Sequence, residues 1–403
     1  MKNVVLLTID TLRQDVLGCY GNTLGLTPFI DSLQDRCIRF ARAQSCGPYT
    51  QASFPAILTS SYYHDYEHTE KLSGRRTLVS EPLRQAGIET AGFHSNAYLC
   101  SFFGWSRGWS SFYDSMEADV DDKVPYIKAF ELNKRVERWL EFRKDRTRPF
   151  LLWLHYMDVH EPYIPTKKYI DVVDRSINMT DDEMFKLFTD VLMKRDVSDK
   201  QAVEFLRKLY LAHVREVDEA TKEFFNILDK GGVLKDSVVM ITSDHGDEFG
   251  EHGGLSHDSK MFWELIDVPL LIYDPSLKQG IVRNELVSTI DVSPTIVNLF
   301  GLEPVKNFRG QSLLPVENLK SRSVFGEAFF KHGIYEDEDK KEVHYCREDN
   351  LKIIYSEKNN SWQMYDLDND PSETKNVIDD HHSAERLRSK IQARVRRNQL
   401  SKI

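Results

Sequence analysis

Residues 3–9 read NVVLLTI and run straight into Asp10-Thr11. A short apolar, β-branched run with no polar face predicts a strand covered on both sides, as in a parallel sheet between layers of helices. Two more stretches have the same form. PFLLWLHY (149–156) leads into Asp158-Val159-His160, and SVVMIT (237–242) leads into Asp244-His245. Strands near 88–94 (IETAGFH) and at 268–273 (VPLLIY) complete the set.

Helical signals lie between these runs. Thr27-Pro28 supplies an N-cap residue and a first-turn proline for a helix through Cys37. TQASFPAILTS (50–60) reads as a helix with Pro55 near its start, and two more are expected near 78–86 and 127–144. Apolar residues at 203, 206, 209, 214, 217, 224 and 228 predict a long amphipathic helix over 202–228, stopped by Gly231-Gly232. Residues 168–198 are charged and mixed, a helical insertion over the core. Strands alternating with helices predict an α/β fold: a doubly wound, mostly parallel sheet with helices on both faces. After about residue 320 the pattern changes to short strands (324–329, 351–355, 362–367) and a charged helix from about 382. The division expected is a catalytic α/β domain over 1–320 and a smaller α+β subdomain over 321–403.

Composition narrows the function. The chain has 403 residues, 41% apolar, with 63 acidic against 53 basic side chains and a formal charge of −10. That balance speaks against a nucleic-acid or membrane-surface binder, which carries a basic field. An anionic substrate stays open, because a metal ion can supply positive charge locally. The five cysteines (Cys19, Cys37, Cys46, Cys100, Cys346) form no CxxC pair and suggest neither a disulfide framework nor a thiolate zinc site. No apolar run is long enough to span a bilayer, and the apolar N-terminus is interrupted by Asp10 and Arg13. It reads as the first core strand of a cytoplasmic protein, in which the sequons at Asn178 and Asn359 carry no meaning.

In an open parallel sheet, ligands gather beyond the carboxyl ends of the strands. Asp10, Asp158 with His160, and Asp244 with His245 all fall there. The loop TSDHGDEFGEHGGLSHD (242–258) is rich in His, Asp, Glu and Gly. Carboxylates with imidazoles suit a divalent ion such as Mn or Zn, or Mg or Ca where oxygen ligands dominate.

The chain resembles the sulfatase family of the alkaline phosphatase superfamily along most of its length. The matching stretches stand in family order: 3–21, 27–45, TQASFPAILTS, LHYMDVHEPYIP (154–165), VVMITSDHGDEFGEHG (238–253), VPLLIYDP (268–275), IDVSPTIVNLFGL (290–302), RGQSLLP (309–315) and MYDLDNDPSETKNV (364–377). The resemblance implies a divalent metal at the strand carboxyl ends and hydrolysis of an ester of a tetrahedral oxyanion.

The departures are informative. Typical sulfatases place Cys-x-Pro-x-Arg nine residues ahead of a Leu-Thr-Gly end and convert that cysteine to formylglycine. Counting back from Thr59 reaches Thr50, with Phe54 at the arginine position; Cys46 sits four residues too early. Formylglycine is not expected. The family's Asp-Asp pair is here Asp10-Thr11, and its later lysine falls on Asp258.

What remains resembles the threonine-nucleophile branch, which implies one metal held by Asp10, Thr50, Asp244 and His245. Metal coordination would activate the Thr50 hydroxyl, otherwise a poor nucleophile at neutral pH. The resemblance gives His160 and His257 the substrate oxyanion and leaving group, with Arg13 and Asn96 as substrate-side candidates. The two-zinc pattern of nucleotide phosphodiesterases is incomplete around Asp158. The aromatic cluster FFGWSRGW (102–109) reads as core packing or a lid ahead of a stacking platform.

The expectation is a metal-dependent hydrolase of sulfate or phosphate esters on an anionic small molecule or glycan. A threonine sulfate cannot eliminate as a formylglycine hemiacetal sulfate can, so phosphorus esters are chemically favoured. The alternatives are a transferase passing the group to a glycan or lipid head group, and a non-catalytic relative.

Overall fold

The structure, a computed structural model, describes residues 2–66, 71–114, 120, 122–332, 335–336 and 341–401. The N-terminal region runs β1 (Asn3–Ile9), α1 (Pro28–Ser32), β2 (Cys37–Gln44), α2 (Thr50–Thr59), α3 (Ser80–Gln85), β3 (Glu89–Phe93), β4 (Ser111–Tyr113), α4 (Ala129–Phe142) and β5 (Phe150–Tyr156). It continues through α5 (Lys167–Val173), α6 (Asp181–Leu187), α7 (Lys200–Lys230), β6 (Ser237–Ser243), the two-residue strands β7 (Glu248–Phe249) and β8 (Leu255–Ser256), α8 (Trp263–Ile266), β9 (Leu270–Tyr273), β10 (Ile281–Ser288) and α9 (Val292–Leu299).

Eight strands form one sheet in the order β10-β2-β9-β6-β1-β5-β3-β4, parallel except for β9, which is antiparallel to both neighbours. The fold is therefore α/β with a mixed, mostly parallel sheet. β1 lies between β5 and β6, and their registers pair Thr8 with His155 and Thr242, so three polar carboxyl ends meet at one place. Side chains alternate between faces along each strand. Val5, Leu7 and Ile9 pack with α4 and α7 on one side, while Val4 and Leu6 pack with Phe54, Leu83 and Ile296 of α2, α3 and α9 on the other.

A second, antiparallel sheet forms from β11 (Val324–Phe329), with a small ribbon of β12 (Lys331–His332) and β13 (Tyr335–Glu336) beside it in sequence, and then β14 (Glu342–Glu348), β15 (Leu351–Ser356) and β16 (Ser361–Asp366). α10 (Ala384–Ser401) covers it, burying Leu387 and Ile391 against Ile353 and Met364.

Several elements differ from the sequence reading. The helix expected from Pro28 through Cys37 stops at Ser32, passes through a 3₁₀ turn at Leu33–Arg36, and Cys37 opens β2. β10 and β14 have no counterpart in that reading. Both β2 (CIRFARAQ) and β10 (IVRNELVS) carry charged residues on a partly exposed face, so neither shows the continuous apolar run of a central strand.

Candidate active site

The carboxyl end of β1 delivers Asp10, fully buried, with Thr11 beside it in a left-handed conformation at φ 57°. A non-glycine residue there is uncommon and marks a functional turn. The Thr11 amide donates to Asp244 Oδ1 (3.3 Å), which also accepts from the His245 amide (3.0 Å). The β6 loop is thereby locked to the β1 turn.

His245 Nδ1 lies 3.0 Å from the Gly246 carbonyl, so Nδ1 carries the proton and Nε2 presents its lone pair. That nitrogen faces Asp10 Oδ1 (3.6 Å), Asp244 Oδ2 (3.4 Å) and Thr50 Oγ1 (3.4 Å). Thr50 is the first residue of α2. Tyr49 is the N-cap, so the Thr50 hydroxyl does not cap the helix; it lies 3.4 Å from Asp10 Oδ2. Asn96 caps the turn that follows it with its Oδ1, while its amide nitrogen reaches Asp10 Oδ2 (3.1 Å) and Thr50 Oγ1 (3.5 Å).

The cluster fits a divalent cation. Asp10, Asp244 and His245 bring one ligand atom each within 4.8 Å of one another. Asp10 Oδ1 and Asp244 Oδ2 are buried and have no hydrogen-bond partner. Burial and the charge of Asp10 push the Asp244 carboxyl up to about 8. Burial acts upward on Asp10 too, yet the nearby His155 and the fields of His160 and His245 hold it well below the ordinary range. A cation between two buried carboxylates at such close quarters would offset their repulsion.

Two histidines flank this cluster. His160 follows β5, and its Nδ1 contacts the Glu161 carbonyl at 2.6 Å. Burial acts to lower its pKa, but Asp10, Glu161 and Asp247 outweigh that and raise it. The His257 ring stands 5.0 Å from His160 and 4.6 Å from His245. Burial and the fields of those two histidines hold His257 well below its ordinary value. Its Nδ1 pairs with Asp247 Oδ1 at 2.8 Å, and Asp247 also accepts from the Tyr163 hydroxyl. Asp247 and His155, which approaches Asp10 Oδ2 at 3.3 Å, have no place in the sequence reading.

The Sulfatase family profile matches residues 2–302, and a second, described as N-sulphoglucosamine sulphohydrolase, C-terminal, matches 250–401. The chain belongs to the sulfatase family. An N-acetylglucosamine-6-O-sulfatase of Bacteroides thetaiotaomicron is 24% identical over 93% of this chain and 82% of its own. A protein solved with its substrate D-glucosamine-2-N,6-O-disulfate superposes with a TM-score of 0.79 at 21% identity, over 99% of this chain and 98% of that one. The phosphonate monoester hydrolase of Agrobacterium radiobacter also gives 0.79, at 18% identity over 100% and 96%. This sulfatase-family protein is an ester-hydrolysing enzyme, and a candidate metal site lies at Asp10, Asp244 and His245.

Other positions of this sulfatase-family enzyme depart from a typical site. Cys46 is fully buried with its sulfur 3.0 Å from Ser288 Oγ, and burial pushes its thiol up to about 11. Phe54 lies edge-on to the His155 ring, and Asp258 accepts from the Lys260 amide. Arg13 is not brought into the cluster around Thr50 by any hydrogen bond. Its guanidinium bonds Asp15, Glu251 and the Asp247 carbonyl and stacks on Trp263, which makes it a brace for the β6 loop. Asp158 accepts from the Ala129 amide at the start of α4 (2.8 Å), a helix-terminus role. The residues of FFGWSRGW divide: Trp105 and Trp109 are core, while Phe102 is exposed.

Proposed function

We propose that this enzyme cleaves phosphorus esters through a covalent intermediate on Thr50, with Asp10, Asp244, His245 and the Thr50 oxygen holding one divalent metal. The observation that carries the reading is the position of Thr50 Oγ1, 3.4 Å from both Asp10 Oδ2 and His245 Nε2 at the start of α2. Two carboxylates with one imidazole suit Mn or Zn, with Mg or Ca also compatible. A bound divalent ion would lower the pKa of the Thr50 hydroxyl and neutralise oxyanion charge.

The protein's own groups carry the remaining work. The Thr50 oxygen, its proton already lost to solvent, attacks phosphorus as an alkoxide, and the bond to the leaving oxygen breaks. His160, whose pKa is raised, donates a proton to that oxygen through Nε2. The Asn96 amide, which faces Thr50, holds the oxyanion. His257 has its Nδ1–H directed to Asp247 and so offers Nε2 as a base. It takes a proton from the water that attacks phosphorus; the phosphorus–Oγ1 bond breaks, Thr50 leaves as the alkoxide that begins the next cycle, and the proton on His257 returns through solvent to His160.

Charge selects among phosphorus esters. Phe54 and Asp258 stand where the family has an arginine and a lysine. The site thus lacks two cations that a dianion would need, so diesters and phosphonate monoesters, each carrying one charge, are favoured over phosphate monoesters. Relatives that act on sulfated glucosamine support an anionic glycan as the alcohol half.

The test is turnover of matched aryl sulfate, phosphate, phosphodiester and phosphonate probes by metal-free protein supplied with Mn, Zn, Mg or Ca, beside its intact mass. Metal-dependent diester cleavage with an unmodified mass supports the reading. Sulfate cleavage with a mass loss of roughly 18 Da, the signature of cysteine converted to an aldehyde and outside any metal activation of a hydroxyl, would overturn it.

A further inference from the structure

The same alternation that buries Val4 and Leu6 places Thr8 and Asp10 on the α2 side of β1. On β5 it places Leu151, Trp153 and His155 on that side. Each strand is therefore apolar at its base and polar at its carboxyl end, and the β1–β5 register sets Thr8 opposite His155. All three polar side chains, with Trp153, are fully buried.

Their polar contacts run in one direction. The Trp153 indole N–H donates to Thr8 Oγ1 at 3.0 Å. Thr8 Oγ1 lies 2.9 Å from His155 Nδ1 and 3.4 Å from the Leu154 carbonyl. His155 Nε2 lies 3.3 Å from Asp10 Oδ2, at ion-pair distance but off hydrogen-bond alignment. Were the imidazole proton on Nδ1, a bare Nε2 lone pair would face a carboxylate oxygen in a dry interior, which is repulsive. The other tautomer suits both ends. The Thr8 hydroxyl donates to Nδ1, and Nε2–H points at Asp10 Oδ2. Phe54 and Trp153 pack against the ring, with centroids at 4.9 and 6.2 Å, and hold its plane.

We infer that His155 is a positioning residue for the metal site. Fixed by Trp153 and Thr8 in its Nε2–H form, it holds Asp10 Oδ2 at ion-pair distance and leaves Asp10 Oδ1, which has no hydrogen-bond partner among the described residues, to an ion that Asp244 and His245 would share. The inference rests on the reading of Asp10 as a ligand. Partners of this kind orient ligating groups, and their loss costs roughly 10–100-fold in metal affinity.

The probe is Mn²⁺ titrated into metal-free protein by calorimetry, together with ¹⁵N spectra of the histidine rings. His155→Leu is expected to weaken Mn²⁺ binding by roughly 10–100-fold. His155→Gln, whose amide accepts at one end and donates at the other, should restore most of the affinity. Thr8→Val, which removes the tautomer-fixing hydroxyl, should weaken binding with the histidine still present, and it serves if His155→Leu fails to fold. The spectra should show the His155 proton on Nε2 in metal-free protein. Unchanged Mn²⁺ affinity in Thr8→Val and His155→Leu, or a proton on Nδ1, would overturn the inference. Wild-type protein that binds no divalent ion would instead overturn the proposed function, while the ring spectra would still report the tautomer.

Discussion

His257 Nδ1 lies 2.8 Å from Asp247 Oδ1, and the other oxygen of that carboxylate takes the Tyr163 hydroxyl. The imidazole is thus clamped from behind, inside a loop whose glycines let the chain fold back on β7 and β8. Gly246 shows the constraint, since a Cβ there would lie 2.0 Å from the Glu264 carbonyl oxygen. The pairing gives His257 the form of a base, and His160, with its raised pKa, the form of an acid.

Asp247→Asn should therefore damage the second half of the reaction more than the first. An amide nitrogen facing Nδ1 would force the proton onto Nε2 and remove the base. The expected result is a fall in kcat of about 10²-fold or more, with a retained burst of alcohol and accumulation of phosphorylated Thr50 by intact mass. A kcat equal to wild type would remove His257 from the mechanism.

Cys46→Ala should leave turnover unchanged. The thiol is enclosed among Tyr62, Ala56 and Ile290, bonded to Ser288, and pushed up to about 11 by burial, so little thiolate forms at neutral pH. Removing one sulfur from a packed site costs on the order of 1 kcal/mol of stability. Loss of activity in a variant that folds and binds metal would make Cys46 the nucleophile and displace Thr50.

Much of this arrangement is legible in the amino-acid sequence. β1, β5 and β6 are continuous apolar runs ending in Asp or His, and such runs admit few alternatives to a central parallel strand. Thr50 is reached by counting back from Thr59. The strands at the β10 end of the sheet are harder: Arg39, Arg42, Arg283 and Glu285 on β2 and β10 break the apolar run where these strands are partly exposed. His155 is hidden in a core strand, where an imidazole reads as packing until the β1 register shows Thr8 and Asp10 beside it. Asp247 is one carboxylate among several in a polar loop, and spacing alone does not say which one turns toward His257. The role of Arg13 depends on three partners, two of them more than 200 residues away in sequence.

Arg394→Met should loosen α10 from the rest of the molecule. Arg394 donates to the fully buried Glu327 (2.7 Å) and covers the Tyr62 ring at 3.4 Å, so it joins the last helix to the second sheet and to the loop after α2. Burial acts upward on Glu327, but Arg394, His64 and His344 outweigh it and hold the carboxyl well below the ordinary range. Removing one member of a buried pair costs about 3–5 kcal/mol. Chemical denaturation should show that loss, with early protease cleavage in 384–401. Wild-type resistance in both assays would mean that the pair adds no net stability.

Asp158 gives a pH signature of stability that Asp158→Asn should erase. Burial, then the charge of Glu216, raises its carboxyl from 3.8 to about 7. The folded protein therefore keeps this proton where the unfolded chain has lost it. Stability from this group is complete below pH 4, declines as pH rises, and levels off above pH 7. Each tenfold gain in proton affinity on folding is worth about 1.4 kcal/mol, so the loss reaches up to about 4 kcal/mol. Asparagine keeps the acceptor for the Ala129 amide and carries no charge, so the variant should match wild type near pH 4 and exceed it at pH 8. The measurement is the difference between the two unfolding free energies across that range. A difference that does not grow with pH would mean that Asp158 ionises at its ordinary value in the folded protein.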